Sequence, residues 1–167
     1  KPFARTWIHN GLLTVNGEKM SKSLGNFITV EEALTQWTHP DYLKLFFLKT
    51  HYRSPIDYSS ERLAEAKRNR EEFSRFFQHY HQRKTDERAR GKSLGAGIGI
   101  KERFIQAMDD DLNTPSAIAA LIDGVNLGQG LLTSSHPDTA AAAKSFYDAL
   151  IECGAVLGLF LEGLVEE

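Results

Sequence analysis

Apolar residues recur every three or four positions through Leu63, Ala66, Phe73, Phe77 and Tyr80, with Arg70 in the same stripe. That spacing places them on one face of a helix and predicts a long amphipathic helix, opened by Ser59 or Ser60 and running to about Gln82, packed in a bundle. Further helices are predicted over Ile100 to Asp110, Pro115 to Leu132 and Pro137 to Phe160, with Pro115 and Pro137 where first-turn prolines belong. Gly124, Gly128 and Gly130 weaken the middle of these and predict an early end to the second. Two shorter helices come earlier. One runs from Val30 to Gln36 with Thr29 as N-cap and Glu31 and Glu32 in its first turn; the other opens at Pro40 and carries Leu43, Leu45, Phe46, Phe47 and Leu48. Near the start, Thr6-Trp7-Ile8-His9 and Leu12-Leu13-Thr14-Val15 are rich in strand formers, and Asn16-Gly17 is a hairpin turn because both residues tolerate positive φ. Residues 52–58 with Pro55 are expected as a connecting loop, and Lys84 to Gly99, charged and then glycine-rich, as a flexible one. The fold class predicted is mainly α: a short β-hairpin, then an antiparallel α-helical bundle.

Composition changes this picture little. The chain has 167 residues, 41% hydrophobic and 25% charged, which suits a globular piece of one domain or a little more. No apolar run is long enough to span a bilayer, and no leader opens the chain, so no membrane partner is expected. The single Cys153 excludes an internal disulfide and a multi-cysteine metal site. It shares an apolar helical face with Phe146, Leu150, Leu157 and Phe160, which predicts a small core hydrophobe.

Charge is more informative in its distribution than in its sum. The formal net charge is −2, yet ten of the 20 Lys and Arg residues lie between Arg62 and Lys92, against five acids there. A local positive surface is enough to attract a polyanion. Lys67, Arg68, Arg70 and Arg75 each fit a phosphate contact and, equally, a solvated face paired with Glu65, Glu71 and Glu72. Asp109, Asp110 and Asp111 suggest either a cation site or a helix end ahead of a cap at Asn113 or Thr114. His79 and His81, two apart on a helix, are poor joint ligands.

The densest chemistry lies in Asn16-Gly17-Glu18-Lys19-Met20-Ser21-Lys22-Ser23-Leu24-Gly25-Asn26-Phe27. Two lysines three apart among serines, with a glycine following, suit a loop that grips phosphates: the ammonium follows a mobile charge and the hydroxyls add hydrogen bonds. Lys19-Met20-Ser21-Lys22-Ser23 resembles the signature loop of class I aminoacyl-tRNA synthetases. The flanks narrow the resemblance to cysteinyl-tRNA synthetase: Trp7-Ile8-His9-Asn10-Gly11 and Thr14-Val15 before the loop, Leu24-Gly25-Asn26-Phe27-Ile28-Thr29 after it. Two further stretches are similar, His51-Tyr52-Arg53-Ser54-Pro55 with Tyr58-Ser59, and Ala107-Met108-Asp109-Asp110-Asp111-Leu112-Asn113-Thr114-Pro115. Asp41-Tyr42-Leu43-Lys44 resembles the Asp-Ala-Leu-Arg signature of the family's anticodon-binding helical domain, departing at Tyr42 and Lys44.

The resemblance implies ATP, with Mg, as the ligand of the loop: Lys22 on the phosphates, Lys19 helping, Met20, Ser21 and Ser23 shaping the site, Lys19 and Lys22 being the catalytic pair. It implies tRNA(Cys) as partner, with Arg53, Lys67, Arg68, Arg70 and Arg75 as contacts, and cysteine as co-substrate. It implies three parts: 1–28 as the end of a catalytic domain, 29–58 as a stem-contact segment, and 59–167 as the tRNA-binding bundle. The family's His-x-Gly-His motif and its cysteine, histidine and glutamate zinc signature have no counterpart here. The expectation is an interior to C-terminal fragment, inactive alone, of a cytoplasmic and monomeric ligase whose zinc ligands lie elsewhere. Two other readings stay open: a related ligase that joins cysteine to an amino-sugar inositol in mycothiol synthesis, and a non-catalytic helical nucleic-acid-binding module.

Overall fold

The computed structural model describes residues 3–37, 39–84, 95, 97–134 and 139–160. Among them a small three-stranded sheet precedes six α-helices, the mainly α arrangement expected. The hairpin forms where Asn16-Gly17 predicts it. Strand β1, Leu13–Val15, turns through Asn16 (φ 51°) and Gly17 (φ 80°) and pairs antiparallel with β2, Glu18–Lys19. Thr6 to His9 form no strand, and Trp7 and Ile8 are left 67% and 60% exposed. The third strand is instead β3, Ile56–Tyr58, which pairs parallel with β1 and places Asp57 opposite Thr14. This corrects the loop expected over 52–58. Three residues directly after a proline are too short to show an alternating pattern.

Helix α1, Val30–Gln36, starts with a reciprocal capping box: the Glu32 amide donates to Thr29 Oγ1 (3.1 Å), and the Thr29 amide donates to Glu32 Oε2 (2.8 Å). The Thr29 amide, first, and the Thr29 hydroxyl, which also donates to Glu32 Oε2 (2.8 Å), hold the Glu32 carboxyl below its ordinary pKa. Helix α2, Pro40–Leu48, is capped by His39, whose Nδ1 accepts from the Asp41 amide. Helix α3, Ser60–Lys84, buries Leu63, Ala66, Phe73, Phe76 and Tyr80. Phe76 takes the fully buried place expected for Phe77, which is half-buried at its edge.

Lys84 closes α3, and α4 begins at Ile98, so Gly97 to Gly99 belong to a helix start rather than to the loop expected there; residues 85–94 and 96 lie outside the described residues. Gly97 is needed at this point, because its backbone lies against the Ser145 backbone and its amide donates to Ser145 Oγ (2.9 Å). Helix α4, Ile98–Asp109, is followed by α5, Thr114–Thr133, capped by Asn113 Oδ1 on the Ser116 amide. The glycines do not end α5 early. Gly124 faces Ile100 and Leu150, and a Cβ on Gly128 would lie 2.6 Å from Phe76. Absent side chains here let α5 approach its neighbours, and the packing offsets the lost propensity.

Helix α6 is Thr139–Val156; Pro137, expected at its start, lies outside the described residues. After α6 the chain turns through Gly158 (φ 68°), and Phe160 folds back onto Phe73 and Phe77. The core runs through the helices, with Leu45, Phe73, Phe76, Ile118, Leu121, Leu150 and Leu159 fully buried. Cys153 is buried within it, as expected, and desolvation pushes its thiol pKa up.

Candidate functional site

The lysine loop begins where β2 ends. Ser21 is the N-cap of a short 3-10 turn, Lys22–Leu24, its Oγ accepting from the Ser23 amide (3.2 Å) and lying 2.6 Å from Ser23 Oγ. Gly25 (φ 69°) closes the turn through its amide on the Lys22 carbonyl (3.2 Å). A left-handed residue there is most readily glycine. Asn26 ties the two ends together: its Oδ1 accepts from the Ser21 amide (2.8 Å), and its Nδ2 donates to the Lys19 carbonyl (3.2 Å). Sequence reasoning quoted Asn26 only as a flank. An asparagine just after a glycine turn is the available signal, since its side chain carries both donor and acceptor.

Both ammonium-bearing side chains, Lys19 and Lys22, are exposed. Among the described residues neither is ion-paired, and Lys22 Nζ lies 5.3 Å from the centre of the Phe27 ring. Met20 and Ser21 are half-buried and Ser23 is exposed. The structure thus places the five contiguous candidates at the end of β2 and in the turn that follows, with two exposed ammonium groups outside any ion pair among the described residues. Such a turn can follow and neutralise a polyphosphate.

The other candidates lie apart. Lys67, Arg68 and Arg75 are exposed on α3 within an arc of about 100° at the helix's angular step per residue. Among the described residues Lys67 makes only a long, exposed pair with Glu71 (3.9 Å). Arg70 is half-buried, its Nη2 lying 3.2 Å from His39 Nε2. Arg53 reaches the turn between α4 and α5: Nη2 donates to Asp111 Oδ1 (3.1 Å), and Nε lies 3.0 Å from Asp111 Oδ2. Tyr52 donates to the same Asp111 Oδ1 (2.8 Å) and accepts from Arg53 Nε (2.9 Å). The Tyr52 bond and the Asp111 charge raise the Arg53 pKa. Two stretches singled out separately in the sequence, 51–55 and 107–115, therefore meet. Asp111 and Leu112 adopt φ of 54° to make that turn.

A third stretch has an internal role. Asp41 is buried; its Oδ2 accepts from the Phe160 amide (3.1 Å) and its Oδ1 pairs with Lys44 Nζ (3.0 Å). Lys44 also donates to the Gly158 carbonyl (2.5 Å). Asp41-Tyr42-Leu43-Lys44 ties α2 to the turn that ends α6.

Residues 1–68 match the family described as tRNA synthetases class I (C) catalytic domain, and residues 103–162 match the DALR domain. A cysteine–tRNA ligase of Syntrophotalea carbinolica is 41% identical over 96% of this chain and 34% of its own length. That of Geobacter sulfurreducens is also 41% identical over the same shares. The chain belongs to the cysteinyl-tRNA synthetase family. A Persephonella marina cysteine–tRNA ligase is 46% identical over 72% of the chain and 25% of its own length. The chain thus spans about a third of the length of the curated relatives it matches.

Among the described residues no three His, Cys, Asp or Glu side chains are grouped to hold a metal, and the one cysteine is a core thiol. Among the same residues no helix is long and apolar enough to cross a membrane.

Proposed function

We propose that this chain is the lysine-loop and tRNA-facing part of a cysteine–tRNA ligase. In that reaction the cysteine carboxylate attacks the α-phosphorus of ATP. A carboxylate–phosphorus bond forms, the bond to the β-phosphate's bridging oxygen breaks, and pyrophosphate leaves. A tRNA hydroxyl then attacks the cysteinyl carbonyl and AMP leaves. Negative charge grows on the departing phosphates in the first step. Preplaced positive groups act most strongly there, and losing one typically costs about 3–4 kcal/mol.

Lys22, presented at the start of a capped turn, is assigned to the leaving phosphates, and Lys19 to the same triphosphate from the strand end. Ser21, Ser23 and Met20 shape the turn, and Mg enters with the nucleotide. The observation that carries the reading is the loop itself: two exposed ammonium groups on a backbone stitched at both ends by Asn26. The basic arc of α3 supports a tRNA phosphate contact by Lys67, Arg68 and Arg75. Arg70 and Arg53 are proposed to position neighbouring elements beside the tRNA. The rest of the ligase, holding the nucleotide and the zinc, would cover the exposed apolar Trp7, Ile8 and Leu12. The reading carries with it a monomeric, cytoplasmic enzyme.

The test is ATP–pyrophosphate exchange and charging by the whole ligase that contains this chain. Cysteine-dependent exchange followed by charging of cysteine tRNA supports the reading. Exchange with transfer to an amino sugar and none to tRNA replaces it with the mycothiol-type ligase. No exchange at all leaves a binding module.

A further inference from the structure

A hairpin of three residues paired with two is marginal by itself, so the lysine loop needs a support outside it. Strand β3 supplies one. Asp57 Oδ1 accepts from the Gly17 amide (2.7 Å) and from Thr14 Oγ1 (2.7 Å), across 40 and 43 residues of sequence. In register, Lys19 stands opposite Thr14 and Thr14 opposite Asp57, so the three form one row across the sheet. Side chains opposite one another in adjacent strands share a face. The base of this row is firm. The Ile56 amide donates to the Leu12 carbonyl (2.9 Å), Ile56 is buried, and the Tyr58 ring packs edge-on against buried Phe46 at 5.5 Å.

We propose that Asp57 is a positioning residue for the lysine loop: its carboxylate holds the Asn16-Gly17 turn and Thr14, and so fixes the strand that delivers Lys19 and Lys22. The proposal rests on the ligase reading above. Asp57 touches no substrate; it acts through the hairpin. The Gly17 amide, first, and Thr14 hold its carboxyl below the ordinary pKa, consistent with bonds made to the ionised form. A depressed folded value means the contribution is present above the ordinary carboxylate range and is lost only as pH falls through the lowered one. At neutral pH the clamp is fully engaged.

The experiment compares Asp57→Ala and Asp57→Asn in the whole ligase, by cysteine-dependent ATP–pyrophosphate exchange, by Tm, and by hydrogen exchange of the Gly17 amide. Misplacing a catalytic group by an ångström can cost two orders of magnitude, so Asp57→Ala is expected to lower kcat about 10- to 100-fold. The Gly17 amide exchanges faster, KM for cysteine holds, and Tm stays close to wild type. Asp57→Asn keeps an acceptor oxygen in place and recovers most of the rate. A wild-type exchange rate in Asp57→Ala, or an unchanged Gly17 amide, overturns the proposal. So does a joint fall of Tm and rate in both variants, which would make Asp57 a fold residue only. A wild-type ligase with no exchange activity overturns the reading on which the proposal rests, and the Gly17 amide then still reports whether the clamp exists.

Discussion

Two polar residues, Lys22 and Asp41, show how differently a single side chain can be legible. Lys22 is exposed and unpaired by any carboxylate among the described residues. Its removal therefore costs the fold little and, under the proposed function, is felt where phosphate charge develops. Lys22→Ala is expected to lower kcat for cysteine-dependent exchange by about 100- to 1,000-fold, with Tm unchanged, as steady-state exchange and calorimetry would show. A variant with normal exchange would remove Lys22 from the chemistry. Asp41 is the reverse case. It is 3% exposed, and its carboxylate joins the Phe160 amide, 119 residues away, to Lys44. Asp41→Ala leaves that amide without its partner, and is expected to destabilise the chain by about 2–3 kcal/mol in urea unfolding. The lysine loop could be singled out in the sequence because its residues are contiguous. Asp41 could not, because a first-turn acid looks the same whether it faces water or a backbone amide folded back from the far end of the chain. The same holds for Arg53, whose partner Asp111 lies 58 residues on.

Helices were legible where a long period could show itself. The α3 stripe is visible over 25 residues, and capping pairs such as Thr29 with Glu32 mark starts with a stated mechanism. Strand β3 has three residues and no period, so only its partner reveals it. The glycines of α5 misled because propensity counts backbone entropy and not what the helix packs against. Gly128 and Gly130, two residues apart, separate the two effects. A Cβ on Gly128 would lie 2.6 Å from the Phe76 ring, whereas one on Gly130 meets nothing within 4 Å. Gly128→Ala is expected to destabilise by about 1–3 kcal/mol through overpacking. Gly130→Ala is expected to stabilise by about 0.5–1 kcal/mol through helix propensity. Thermal melts of the two variants side by side would show opposite signs; the same sign in both would mean that packing does not decide the first. Helix α3 also meets α6 through Tyr80, whose ring stacks on Tyr147 at 4.2 Å. Burial pushes the Tyr80 pKa up to about 12, with the Asp148 charge adding to the shift. A raised folded value gives stability that is complete below the ordinary tyrosine pKa and is lost as pH rises through the folded one. Ultraviolet titration is expected to show one phenol ionising near pH 12, and stability falling as the pH climbs toward it.

At the scale of the molecule the two halves of the sequence signal separate in space. The two lysines proposed for phosphate lie at the small sheet, and the described part of the basic stretch, through Lys84, lies on α3, joined to that sheet directly through β3 and Ser59. Net charge alone, at −2, would argue against a polyanion partner. The placement of Lys67, Arg68 and Arg75 on one exposed arc argues for one, because association is governed by the local field. Each phosphate neutralised releases counterions, so the logarithm of affinity falls with the logarithm of salt by roughly one unit of slope per contact. In the whole ligase, replacing Lys67, Arg68 and Arg75 together by Ala is expected to lower the slope for tRNA binding by roughly two to three. The melting temperature should hold, since all three are exposed and the one pair they make among the described residues, Lys67 with Glu71, is a long surface contact of little energy. Cysteine-dependent exchange, which needs no tRNA, should be untouched, while charging falls as salt rises. Filter binding across a salt series, with exchange assayed in parallel, checks all of this at once. An unchanged slope would assign the arc to solvent and move the search for tRNA contacts elsewhere on the molecule. A fall in exchange as well would show that the basic helix supports the lysine loop through β3 rather than, or besides, binding nucleic acid.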